Sequence, residues 1–84
     1  MNVRDFEEKC WSVDGIRVVI RASVAASTAH PFTRKNAAIG TRTVAWYWNQ
    51  IAPQIGTHEF TIIDGRGGVP NGNSHLNGVR DSYS

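Results

Sequence analysis

The stretch FEEKCWSVDGIRVVIRASV, Phe6 to Val24, decides how the chain is read. Two runs containing β-prone residues, Phe6 to Val13 and Ile16 to Val24, flank the dipeptide Asp14-Gly15, which suits the two central positions of a type I′ turn. The stretch therefore predicts a β-hairpin. With Asp14 and Gly15 in the turn, Val13 faces Ile16, Trp11 faces Val18 and Lys9 faces Ile20 on a mainly apolar side. On the other side Ser12 faces Arg17, Cys10 faces Val19 and Glu8 faces Arg21. In this register Arg21 has a cross-strand carboxylate, and Arg17 is left free to meet a partner.

Beyond the hairpin, Ser27 to Gly40 carries Pro31, Gly40 and small polar residues and reads as a connecting segment with a turn around Asn36 to Ile39. Thr41 to Ala52 reads as a helix, capped by Thr41 or Thr43 and stopped by Pro53, which disfavours helical geometry at Ala52. At 3.6 residues per turn Val44, Tyr47, Trp48 and Ile51 form its core stripe, and Trp46 projects with Arg42, Asn49 and Gln50 from the other side. His58 to Ile63 reads as a third strand. The remaining GRGGVPNGNSHLNGVRDSYS is too rich in glycine and asparagine for a long regular element, so a loop is expected, with a short final turn from Ser74 to Arg80. The expected fold is a single α+β domain over residues 1–84, in the order ββαβ: a small antiparallel sheet, made of the N-terminal hairpin and the third strand, packed on one α-helix and followed by a Gly/Asn-rich loop.

A chain of 84 residues buries a modest share of its surface, so the core must come from Phe6, Trp11, Val18, Ile20, Val44, Trp48, Ile51, Phe60, Ile62 and their neighbours, and homodimerisation would help it. Cys10 is the single cysteine, which removes any intrachain disulfide and fits a reducing compartment. The segment MNVRDFEEKC has no apolar stretch of the kind a signal peptide needs, and nothing approaches the roughly 20 apolar residues of a membrane span. A cytoplasmic protein is expected. The formal charge is +2, yet from Gly15 to His58 there is no acidic residue, while Arg17, Arg21, Arg34, Lys35 and Arg42 all lie there. Such asymmetry favours an anionic partner surface, either acidic protein or nucleic acid.

Catalytic chemistry has thin support. Asp64, Ser74 and His75 are the residue types of a hydrolytic triad, but Ser74 and His75 are neighbours in a glycine-rich loop that does not preorganise an oxyanion site. Cys10 has no helix N-terminus beside it to activate a thiolate. His30, His58 and His75 show none of the short spacings of a zinc site. Asp64-Gly65-Arg66-Gly67-Gly68 is the nearest thing to a phosphate cradle, since glycine amides after a strand form anion-binding nests, although no Gly-Lys-Ser/Thr ending follows. Neither metal nor cofactor is expected, and the chain is read as non-enzymatic. Trp46 beside Arg42 is the pair most typical of binding hot spots, with a dimer contact and a core position as the other readings of Trp46. The candidate partner-binding residues are thus Arg17, Arg34, Lys35, Arg42, Trp46 and Arg66.

The strings CWSVDGIRVVIRA and FTIIDGRGGVPNGNSHLNGVRDSYS resemble, in type, the small anti-CRISPR proteins of phages and mobile elements. That resemblance implies a compact inhibitor without catalytic motif that occludes a surface of a bacterial CRISPR effector in the host cytoplasm, such as a type I surveillance complex kept from engaging target DNA. Many such inhibitors are acidic mimics of DNA, whereas the middle of this chain is basic. An acidic patch or the RNA backbone of the effector is then the implied target. The alternative function is a small nucleic-acid-binding accessory protein, for which the helix offers only Arg42 as a cation.

Overall fold

The computed structural model describes residues 1–84 and contains three α-helices and a two-stranded antiparallel sheet. The α+β class holds, but the ββαβ order with one helix does not. Where the hairpin's first strand was expected, helix α1 runs from Val3 to Lys9 and continues as a π-helical turn from Cys10 to Asp14. Asn2 caps it, its side chain accepting from the Asp5 N–H at 2.8 Å, and Asp5 places a negative charge at the positive end of the helix dipole. Val3, Phe6 and Cys10 recur at helical spacing and are buried. Gly15 then adopts the left-handed conformation, φ 67°, and its N–H donates to the Trp11 carbonyl. Asp14-Gly15 is therefore a helix C-terminus and not a hairpin turn. The proposed pairing of Glu8 with Arg21 is absent, and the single ion pair in the molecule joins Arg34 to Asp14.

Strand β1, Arg17–Ile20, finds its partner far along the chain in β2, Phe60–Ile63, with Val18 opposite Ile62 and Ile20 opposite Phe60. No third strand exists, because α1 has taken the residues that would have supplied it. Val18, Ile20, Phe60 and Ile62 face the core; Arg17 and Val19 face out. The Arg21 N–H bonds to the Glu59 carbonyl at 2.7 Å, so antiparallel alternation calls for a direct bond from Arg17 to Ile63 at the far end. There the hydroxyl of Tyr83 intervenes: it accepts from the Arg17 N–H at 2.9 Å and donates to the Ile63 carbonyl.

Helix α2, Val44–Ile55, starts at its Thr43 cap and runs through Pro53, two residues past the expected stop. Pro53 removes the bond to the Asn49 carbonyl, which lies at an exposed residue. The last turn is held from outside: Ala29 and His30 donate to the Ile55 and Gln54 carbonyls, and Ile55 is fully buried. Val44, Tyr47, Ile51 and Ile55 form the buried stripe. Trp48 lies at its edge, exposed, stacked on Phe60 with ring centroids 3.9 Å apart; Trp11 is also exposed, so neither tryptophan joins the core as expected.

The tail is ordered. Helix α3, Leu76–Ser82, buries Leu76 and Val79, and its first amides donate to the carbonyls of Arg42 and Gly40. Gly65 fits only without a side chain, since a Cβ there would lie 1.7 Å from the Ser82 carbonyl oxygen. No helix is long and apolar enough to cross a membrane.

Asp14 is the one buried charged residue, 1% exposed. Its carboxylate accepts from the Tyr47 hydroxyl and the Ala38 N–H, both at 2.8 Å, and faces the Arg34 guanidinium at 3.4 Å. Arg80 of α3 donates from Nε to the Asp14 backbone carbonyl at 2.7 Å and also reaches the Ala38 carbonyl. Replacing Asp14 with Ala leaves the Tyr47 hydroxyl, an amide and a guanidinium without their acceptor, and should cost about 3 kcal/mol or more. Tyr47→Phe, which removes one partner only, should cost about 1–2 kcal/mol. Urea unfolding checks both, and equal losses in the two variants would remove Asp14 from its central place.

Candidate functional site

The six cations and aromatics singled out in the sequence do not form one surface. Arg34, Arg42 and Trp46 come together: the Arg42 guanidinium lies 5.0 Å from the Trp46 ring centroid and that of Arg34 lies 5.7 Å from it. The helix places Trp46 here because Thr43 fixes its first turn, its side-chain oxygen accepting from the Trp46 N–H at 3.1 Å. Trp46 is half-buried and packs on the edge of the core, between the outward and core positions that the sequence left open. Lys35, exposed, adjoins Arg34 in the chain.

Arg34 itself is largely occupied. Phe32, Trp46 and Tyr47 surround its guanidinium at centroid distances of 5.5 to 5.9 Å, and Asp14 lies on its charge. A cation held in this way stabilises the fold and presents little field to a distant anion. Arg42 is the exposed cation of the group.

Arg17 belongs to a second cluster that the sequence did not reveal. Its guanidinium lies over Trp11 at 5.4 Å and near Tyr83 at 5.9 Å, and these two rings meet edge to face with centroids 5.2 Å apart. Tyr83 was hidden in the presumed loop; its spacing of four and seven residues from Val79 and Leu76 was the available signal. Burial raises the Tyr83 phenol above its ordinary range, an effect opposed by the Arg17 amide and charge.

Arg66 sits at the exposed tip of the turn after β2. The amides of this glycine-rich turn are filled from within, since the Asp64 carboxylate accepts from the N–H groups of Arg66 and Gly68 at 2.9 and 3.0 Å. That carboxylate is accordingly unsuited to the triad with Ser74 and His75. The Ser74 carbonyl accepts from the Val44 N–H, and His75 is exposed at the start of α3.

Cys10 is buried against Tyr47 and Asp14 in place of the strand position assigned to it. Burial, with the Asp14 charge adding to it and the Tyr47 hydrogen bond opposing it, pushes its thiol up to about 12. Burial likewise drives the Tyr47 phenol well above its usual value. A thiol so placed is a packed side chain and a poor nucleophile at neutral pH. Scans against models of known families, curated proteins and solved structures found no match to this chain.

The raised thiol has a consequence for stability. Below the unfolded-state value of about 9 it is protonated in both states and its contribution is complete. Between about 9 and about 12 only the unfolded chain ionises, so stability falls as pH rises. Urea midpoints should drop from pH about 8 to pH about 10.5, and Cys10→Ala should flatten the drop; an unchanged slope would assign it to other groups.

Proposed function

We propose that this domain is a non-enzymatic binding protein that inhibits a bacterial defence effector, with Trp46 and Arg42 as the anchor of its contact surface. The observation that carries this reading is the Trp46 indole with the exposed Arg42 guanidinium 5.0 Å from its centroid, on a helix whose first turn is fixed by Thr43. Trp and Arg dominate interface hot spots because they offer large contact area and several donors at small conformational cost once held in place. Here Arg42 and Trp46 hold each other. A CRISPR effector complex is the partner class suggested by the chain's likeness in type to anti-CRISPR proteins.

The dispersal of the cations favours a protein surface over a nucleic-acid backbone. A phosphate track needs several free cations along one line. Arg34 faces Asp14, Arg17 lies with Trp11 and Tyr83, and the Arg66 loop is folded around Asp64.

Co-expression with type I and type II effector complexes, followed by pull-down and target-DNA binding, is expected to retain the domain on one of them and to reduce DNA engagement. Clean negatives in both systems would sink the inhibitor reading. Trp46→Ala should weaken capture by about 2 kcal/mol, and Arg42→Glu, at an exposed side chain, should weaken it while leaving the unfolding midpoint unchanged. A mobility shift with duplex DNA at about 50 mM salt that disappears at about 200 mM would instead support nucleic-acid binding.

A further inference from the structure

Asparagine is followed by glycine twice, at Asn71-Gly72 and Asn77-Gly78, and the fold treats the two pairs differently. Both asparagines are exposed. Asn71 opens the turn that leads into α3: its carbonyl accepts from the Ser74 N–H at 2.9 Å, and its side-chain Oδ1 accepts from the Asn73 N–H at 2.8 Å. Such an Asx turn folds the asparagine side chain back along the main chain that follows it. The Gly72 N–H donates to nothing, and neither does the Asn71 Nδ2 amide. Around Asn77 those freedoms are gone. The Gly78 N–H donates to the His75 carbonyl at 3.1 Å, and the Asn77 side chain lies on Gly40, where an added Cβ would sit 1.7 Å from Oδ1.

We propose that Asn71 is a site of spontaneous deamidation and that its isoaspartyl product loosens the start of α2. The Gly72 nitrogen, losing its proton to solvent base, attacks Asn71 Cγ; the new C–N bond closes a five-membered succinimide, and the Cγ–Nδ2 bond breaks with ammonia as the leaving group. Water then opens either carbonyl of the ring, giving aspartate or isoaspartate at 71. Three features of the turn assist. Glycine puts no Cβ in the way of ring closure, the Gly72 N–H has no bond to give up, and the Asn73 N–H already points at Oδ1, which carries the negative charge of the tetrahedral intermediate. The Gly78 amide must first leave its helix, so Asn77 reacts only through local opening of α3. The consequence falls on α2. The first amides of a helix have no partners inside it, and here this turn supplies them: the Val44 N–H donates to the Ser74 carbonyl at 2.8 Å and the Ala45 N–H to the Gly72 carbonyl at 2.9 Å. An isoaspartyl link adds one carbon–carbon bond, about 1.5 Å, to the main chain just before Gly72 and draws that carbonyl out of register with the Ala45 amide.

Incubation of the folded protein in mildly alkaline buffer, followed by trypsin digestion and sequencing by mass spectrometry, tests the proposal, since Gly67 to Arg80 is released as one peptide that holds both sites. Asn71 should convert roughly ten-fold or more faster than Asn77 in the folded chain, and at a similar rate in concentrated urea, where helix opening no longer separates them. Gly72→Ala, whose Cβ would meet only the Ala45 Cβ at 3.5 Å, should fold as the parent does and deamidate several-fold more slowly. The isoaspartyl fraction, separated by chromatography, should unfold at a lower urea midpoint. Asn71→Asp, which keeps the main-chain length and the acceptor oxygen, should stay close to the parent. Similar rates at the two sites in the folded chain overturn the assignment, as does a preference for Asn71 that persists in urea, which would trace the difference to neighbouring residues. An isoaspartyl fraction as stable as the parent overturns the link to α2.

Discussion

The buried carboxylate of Asp14 is the constraint on which the arrangement of the helices depends. A charge removed from water is tolerated only when its acceptor sites are filled, and here they are filled by Tyr47 of α2 and by Ala38 and Arg34 of the connecting segment. Arg80 of α3 is bound to the main chain of the same residue. Apolar packing would let these elements shift against one another at small cost, because many arrangements fill a core of this size. Directional bonds to one carboxylate do not. The end of α1, the middle of α2 and the last turns of α3 must all meet at that point, and Arg34 is drawn among three aromatic rings as a consequence.

Much of the core was legible in the sequence, and the reason for the remainder is visible in particular residues. Val18, Ile20, Phe60 and Ile62 alternate as a sheet face should, and Val44, Tyr47 and Ile51 mark a helix. Asp14-Gly15 misled because a glycine at positive φ serves a hairpin turn and a helix end equally well. The deciding signal lay upstream, in the Asn2 cap, Asp5 in the first turn and the stripe Val3, Phe6 and Cys10. Pro53 misled in the opposite direction: its local veto was outweighed by burial of Ile55 and by two loop amides from Ala29 and His30. Helix α3 is seven residues long with Gly78 inside it, too short to be stable by itself, so the sequence showed no more than a short final turn from Ser74 to Arg80 where the helix forms.

The candidate surface was less legible than the fold, since composition counts cations and is blind to what each one faces. Arg34 and Arg42, close in sequence, have different surroundings: one lies on a buried carboxylate, the other is exposed beside an indole. Arg17, expected to be free on a hairpin, is indeed exposed, but it is shaped by Trp11 and by Tyr83, 66 residues away. Each arginine in the two clusters lies near at least one aromatic ring, which holds a flexible side chain in place before any partner arrives.

The Tyr83 hydroxyl at the end of the ladder bears on how the chain reaches this state. A rung that needs Arg17, Ile63 and Tyr83 at once cannot close while the chain is being made until residue 83 has emerged, and the bond from Arg80 to Asp14 carries the same delay. The strand that α1 precedes must likewise wait for partner residues 40 to 46 positions later. High sequence separation of this kind slows folding by making loop closure precede its reward. The domain accordingly forms as one cooperative unit only once residues 80 to 83 are available.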